Sequence, residues 1–128
     1  MRVEGGLGMS DLIKIEVVTR PGKLEDLKDA LAEIGITGMT VTQVYGCGSQ
    51  KGHTEVYRGT EYAVNLLPKV KVETVVKESE MKAFIDVMRN TLRTGTLGDG
   101  KIFVYPIQNA IRIRTGEEGA MAVGEKKE

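Results

Sequence analysis

The amino-acid sequence predicts an α+β fold, an antiparallel sheet with two helices packed on one face. Three observations predict it. Short segments of alternating apolar residues recur along the chain. Two longer segments carry apolar residues at helical spacing. The segments interleave as strand, helix, strand, strand, helix, strand. A length of 128 residues suits one compact domain, and a hydrophobic content of 41% is enough to fill one core.

Residues 12–18 (LIKIEVV) alternate, with Ile13, Ile15 and Val17 on one face, and Arg20-Pro21-Gly22 ends the strand. The spacing predicts a helix over 23–34, with Leu24, Leu27, Leu31 and Ile34 in one stripe and Gly35 as its stop. Residues 39–45 (MTVTQVY) alternate again. Residues 67–76 (LPKVKVETVV) form the next strand, with Val70, Val72 and Thr74 on a common face. A second helix covers 78–92, where Met81, Phe84, Ile85 and Met88 make a stripe of core residues. Residues 102–105 are the fourth strand. Residues 111–114 are a short fifth.

This is the ferredoxin-like order β-α-β-β-α-β with an extra short C-terminal strand. One face of such a sheet is left open. Ile, Val and Leu on that face would be exposed in a monomer and mark association, so an oligomer is expected. Residues 1–8 carry no pattern and are expected as a disordered extension before a folded domain over 9–117. Residues 118–128, with Gly119, Gly124 and a closing EKKE, are expected as a flexible tail.

Charge and cysteine content narrow the function. Eighteen basic and 18 acidic residues cancel, which argues against nucleic acid as a direct partner. The single cysteine, Cys47, excludes an internal disulfide framework and fits a reducing interior. No apolar run approaches the roughly 18 residues of a membrane span, and the N-terminus lacks a secretion signal's apolar core. A cytoplasmic protein is expected.

The segment 94–114 (TGTLGDGKIFVYPIQNAIRIR) concentrates the chemistry. A glycine-rich turn (Gly95, Gly98, Gly100) runs into Lys101. Glycines let the backbone approach an anion closely, and lysine and arginine neutralise it. Further on, alternation in a strand would place Arg112 and Arg114 on one face and Ile111 and Ile113 on the other. Two adjacent arginines repel unless an anion lies between them, and a phosphorylated ligand is the natural candidate.

A second glycine run, Gly46-Cys47-Gly48-Ser49-Gln50-Lys51-Gly52, could cradle an anion with backbone N–H groups. Either run alone is an ordinary turn signal. Two runs, a lysine and an arginine pair in one small domain make a stronger case. The second run opens a segment, 46–65, far longer than a hairpin loop of about 2–5 residues. A loop of that length is usually functional. His53 within it reads as a solvated loop histidine, Cys47 as a small packing residue. Tyr57 and Tyr62 have no evident core to enter and suit contact with a partner. No pair of carboxylates stands out as acid and base, so the sequence offers no catalytic constellation.

Residues 57–62 (YRGTEY) and 94–104 (TGTLGDGKIFV) together resemble the two signature segments of the PII nitrogen-regulatory signal proteins. GITGMTVTQV, QKGHTEVYRG, LPKVKVE and AIRIRTGE are also similar to that family, so the resemblance spans about residues 12–117. It implies a homotrimer that binds ATP or ADP in clefts between subunits, with 2-oxoglutarate beside the nucleotide. The long segment 46–65 would be the family's T-loop, which docks on targets: Amt-type ammonium channels, metabolic enzymes and transcription regulators. The membrane would be reached only through the channel.

Carried onto this chain, the resemblance implies nucleotide contacts at Thr40, at Gly46, Cys47, Gly48 and Ser49, at Val75, at Gly98, Asp99, Gly100 and Lys101, and at Arg112 and Arg114. Gln50 would help hold Mg²⁺ with 2-oxoglutarate, and Lys69 would pair with the acid's distal carboxylate. Arg58 would enter a channel pore. Tyr62 matches a tyrosine that is uridylylated in some bacterial members. Ser49 departs from the pattern, standing where many members carry an arginine near the phosphates.

Two other functions compete with a sensor acting by contact. A slow ATPase or phosphotransferase could use the same site, but the sequence shows no general base. An RNA-binding domain shares the strand order but needs exposed aromatics on central strands, where this chain offers mainly Phe103 and Tyr105.

Overall fold

The computed structural model describes residues 11–47, 54–57, 60–63 and 66–123. The extension over 1–8, residues 124–128, Gly48, Ser49, Gln50, His53 and Arg58 lie outside the described residues. In chain order the elements are β1 (Leu12–Thr19), α1 (Leu24–Glu33), β2 (Thr40–Cys47), β3 (Thr54–Tyr57), β4 (Thr60–Ala63), β5 (Leu66–Lys77), α2 (Met81–Leu92) and β6 (Lys101–Ile107). Short 3₁₀ turns at Pro21–Lys23 and Glu78–Glu80 lead into the two helices, and a third covers Gly119–Ala122.

Four strands form one antiparallel sheet in the order β2-β5-β1-β6, and β3 pairs with β4 in a separate two-stranded ribbon. This is the expected ferredoxin-like sheet. Alternation fixes what each face carries. Ile13, Ile15 and Val17 of β1 and Val70, Val72 and Val76 of β5 point to the helices and are buried. They meet Leu27 and Leu31 of α1 and Phe84, Met88 and Leu92 of α2 in one core. Burying a side chain such as Leu31 contributes about 1.5–3 kcal/mol. Leu31→Ala would cost about 2–5 kcal/mol because the cavity refills only in part. Gly35 ends α1 as expected. At φ 91° it lets Ile36 N donate to Leu31 O at 2.9 Å and its own N to Ala32 O at 3.0 Å, a Schellman closure.

Four expectations need correction. Residues 111–114 form no strand: Ile111 makes a single bridge to Glu118, and residues 113–115 turn. Gly116, at φ 76°, permits the chain to double back so that its N bonds Arg112 O at 2.7 Å. That turn leaves no room for a ladder. Second, residues 118–123 are not an open tail. Gly119 N donates to Ala110 O at 3.0 Å, and Ala120 and Val123 line a cavity beside Gly38 and Val76.

Third, Gly46 and Cys47 do not begin the long loop. They extend β2 and pair with Leu67 and Leu66 of β5. The segment between β2 and β5 also contains the β3–β4 ribbon, in which Tyr62 lies opposite Glu55. Fourth, the open face of the sheet is not an apolar surplus. The register places Lys14, Glu16 and Val18 of β1 beside Val75, Glu73 and Lys71 of β5, and beside Tyr105, Phe103 and Lys101 of β6. Lys14 Nζ bonds Glu73 Oε2 at 3.2 Å and lies 4.6 Å from the centre of the Tyr105 ring. The Glu73 hydrogen bond raises the Lys14 pKa above its ordinary value, and burial followed by the Glu16 charge raises that of Tyr105. Strand alternation alone predicts which residues face that way, but not that charged residues are set among the apolar ones there.

Candidate functional site

The 94–100 loop connects α2 to β6 and is built around the Asp99 carboxylate. Asp99 Oδ2 accepts from Thr94 N at 2.8 Å and Gly95 N at 2.9 Å, and Oδ1 accepts from the Thr94 hydroxyl and from Arg20 Nη1. These bonds, the Thr94 hydroxyl foremost, hold the Asp99 carboxyl well below the usual carboxylate range. The same bonds consume its lone pairs, so this carboxylate shapes the loop and is not available as a general base.

The loop is pressed onto the end of β1. Thr19, fully buried, donates from Oγ1 to Asp99 O at 2.8 Å. Gly100 has φ 109°, and a Cβ there would lie 1.9 Å from Val18 O. Only glycine fits. Gly95 and Gly98 also have positive φ, at 88° and 98°, so all three glycines of the turn are required by backbone geometry.

A cleft of about 530 Å³ opens beside this loop, between the ends of β2, β5 and β6. Gly46, Cys47, Lys69, Gly98, Gly100 and Lys101 are among its lining residues. Lys69 Nζ donates to Gly98 O at 3.1 Å, and its stem crosses Gly46, where a Cβ would stand 3.2 Å from Lys69 Cγ. The cleft thus offers two ammonium groups, and its one lining carboxylate among the described residues is tied back into the loop. Such a donor set fits a polyanion.

The remaining expected site residues lie elsewhere. Thr40 pairs with Glu73 in mid-sheet, and Val75 pairs with Lys14. Arg112 and Arg114 follow the far end of β6, where Ile107 pairs with Leu12. Six residue steps of β6 separate that end from Lys101, roughly 20 Å at strand rise. Arg112 Nε is buried 3.3 Å from Glu117 Oε1, close enough for an ion pair though not aligned as a hydrogen bond, and an η nitrogen donates to Met121 O at 3.4 Å. Within this one chain, then, the loop and the arginine pair stand at opposite ends of the sheet. Gly48, Ser49, Gln50 and Arg58 lie outside the described residues.

Sequence reasoning missed Arg20, Thr19 and Thr94, which hold the loop. Arg20 sits 74 to 79 residues from its partners, beyond the reach of any local pattern. The spacing Thr94-Gly-Thr…Asp99 is a weak signal for a side chain folding back on its own turn.

The family model described as nitrogen regulatory protein P-II matches residues 12–117. Nitrogen regulatory protein P-II 1 of Escherichia coli K12 is 56% identical over 110 residues, covering 86% of this chain and 98% of that protein. Nitrogen regulatory protein P-II of Pasteurella multocida Pm70 is 54% identical over the same length and coverage. Among solved structures, the B. subtilis GlnK–ATP complex superimposes with a TM-score of 0.74 at 47% identity, covering 88% of this chain and 97% of that one. Arabidopsis thaliana PII bound to citrate gives 0.75 at 35% identity, covering 93% and 95%. The family match spans the sheet, both helices and the 94–100 loop, and the chain belongs to the nitrogen regulatory protein P-II family.

Proposed function

We propose that this chain is one subunit of a homotrimeric sensor that binds ATP or ADP, with Mg²⁺ and 2-oxoglutarate, and regulates nitrogen assimilation by contact with its targets. The observation that carries the reading is the split site. The glycine loop with Lys101 and the arginine pair stand at opposite ends of one sheet, so one subunit cannot close both on one phosphate chain. Head-to-tail copies around a closed ring can, each loop meeting its neighbour's arginines. The nearness of a relative solved with ATP supports the nucleotide, and one solved with citrate supports a polycarboxylate.

In this reading the 98–101 backbone and Lys101 receive the phosphates, with Thr40, Gly46, Cys47, Gly48, Ser49 and Val75 around the nucleotide. Arg112 and Arg114 complete the site from the next subunit. Mg²⁺ lets a dicarboxylate sit beside a polyphosphate by screening their repulsion. Gln50 supplies it an oxygen, and Lys69 pairs with the distal carboxylate. The Lys69 ammonium has three donors and uses one on Gly98 O, so it can hold the acid and the nucleotide loop together.

The β3–β4 ribbon and the residues around it are the docking element for an Amt-type ammonium channel, an enzyme or a transcription regulator. Arg58 enters a channel pore, and Tyr62 is a candidate for modification. The protein acts in the cytoplasm and does not itself turn over its nucleotide. Calorimetry with ATP, ADP and 2-oxoglutarate, each with and without Mg²⁺, tests the reading. Absence of nucleotide binding by the intact oligomer would overturn it, as would robust multiple-turnover hydrolysis.

A further inference from the structure

One arginine outside the cleft lining holds the cleft-facing loop. Arg20 follows β1 directly, and its guanidinium spreads over four acceptors of the 94–99 turn. Nη1 donates to Asp99 Oδ1 at 2.5 Å and Thr94 Oγ1 at 3.2 Å. Nη2 donates to Leu97 O at 2.6 Å and Thr96 Oγ1 at 3.0 Å. The same Nη2 lies 3.0 Å from where a Cβ of Gly98 would stand. The arginine head therefore fills the space left by the glycine's missing side chain. Arg20 is not among the residues that line the cleft, whereas Thr96, Leu97, Gly98 and Asp99 of the turn it holds are.

We propose that Arg20 is a positioning residue that fixes the shape of the 94–100 loop and, without touching the ligand, sets its affinity for the nucleotide phosphates. The inference rests on the nucleotide reading above. The turn contains three glycines at positive φ, the residue type that loses most conformational freedom on ordering. Left to itself such a turn samples many shapes, and a ligand would have to order it on binding. A guanidinium engaged at four points removes that cost before the ligand arrives. Arginine suits the task because its planar fork holds several acceptors at once, whereas a lysine offers one point charge. Asp99 is its counterpart: the carboxylate gathers Thr94, Gly95 and Arg20 around one centre.

The test uses the full chain as Arg20→Ala, Arg20→Lys, Asp99→Asn and the double variant Arg20→Ala/Asp99→Asn. Hydrogen exchange of the amides of residues 95–101 is measured without ligand, and ATP affinity by calorimetry. We expect Arg20→Ala to speed exchange at those amides selectively, and to weaken ATP by about tenfold, the scale of a lost preorganisation. Arg20→Lys should recover part of both. The double variant should lose less than the sum of the singles, since both remove one shared contact. Exchange in Arg20→Ala equal to wild type overturns the clamp. Faster exchange with unchanged ATP affinity overturns the positioning role. If wild-type protein binds no ATP, the nucleotide reading fails and the link from clamp to phosphate falls with it, while the exchange data still show whether Arg20 holds the loop.

Discussion

Replacing Gly100 with alanine is the sharpest test of how the loop sits on β1. Two costs add. The residue has φ 109°, and an L side chain in a left-handed backbone costs about 1–2 kcal/mol. The new Cβ would also stand 1.9 Å from Val18 O and 3.0 Å from Thr19 Cα. Both atoms belong to the backbone of β1, where Val18 is paired on both sides and Thr19 on one, so neither yields easily. The loop must lift instead. Lifting breaks the bond from buried Thr19 Oγ1 to Asp99 O, a loss of about 1 kcal/mol or more.

Together the destabilisation is about 2–3 kcal/mol, a drop in Tm of about 10 °C for a chain of this size. Gly95→Ala is the control. Its φ is 88°, but no atom lies within 4 Å of the new Cβ, so only the backbone cost of about 1–2 kcal/mol applies. Urea denaturation of both variants at one protomer concentration reads the difference directly. If Gly100→Ala is no more destabilising than Gly95→Ala, the close approach to Val18 is not a feature of the folded protein.

Three further outcomes are expected, the first from the loop geometry and the other two from the proposed function. Asp99 has a native pKa below its ordinary value, so its contribution to stability is complete above the ordinary carboxylate pKa of about 3.9 and is lost as pH falls toward the native value. Asp99→Asn should therefore be less stable than wild type at pH 7 and should lose less between pH 5 and 2; parallel acid unfolding curves would contradict this. Arg112→Ala or Arg114→Ala should weaken ATP binding by about 1.5–3 kcal/mol, the scale of a charged hydrogen bond, with the circular dichroism spectrum intact; unchanged affinity in both would refute their role. Removing Mg²⁺ with a chelator should abolish 2-oxoglutarate binding even with ATP present, and equal calorimetric affinity with and without the metal would rule out the bridging ion.

The regular elements were legible because their signals are local and repeat. Ile13, Ile15, Val17 and Thr19 of β1 pair in turn with Val76, Thr74, Val72 and Val70 of β5, as alternation requires. Leu27 and Leu31, four apart, both reach the core. The Ile111-Arg112-Ile113-Arg114 alternation misleads because four residues are too few to distinguish a strand from a turn with polar ends. Gly116 and the Glu118 bridge decide it. The open face was misjudged for another reason: Glu16 stands opposite Glu73, with Lys14 bonded to Glu73, and a single sequence does not show which strands become neighbours. The Arg20 clamp was illegible on the same ground. Its residue type is visible, but its partners are brought to it by the pairing of β1 with β6.

The separation of the loop from the arginine pair also makes a prediction about assembly that no single-site variant can test. Let one chain carry Arg112→Ala and Arg114→Ala, and another carry Lys101→Ala. If each site were built within one subunit, mixing the two chains would restore nothing, since every subunit is defective in its own site. If each site takes its loop from one subunit and its arginines from the next, a mixed ring contains intact sites. A site is whole where an arginine-deficient subunit supplies the loop and a lysine-deficient neighbour supplies the arginines. Random assembly of equal amounts makes about one site in four of that kind, given a closed head-to-tail ring. The mixture must be unfolded and refolded together so that subunits exchange. Calorimetry should then find wild-type ATP affinity with a stoichiometry near a quarter of the subunits, and none when the chains are refolded apart and combined cold. A co-refolded mixture with no high-affinity sites would mean that the arginines and the loop do not meet across a subunit boundary.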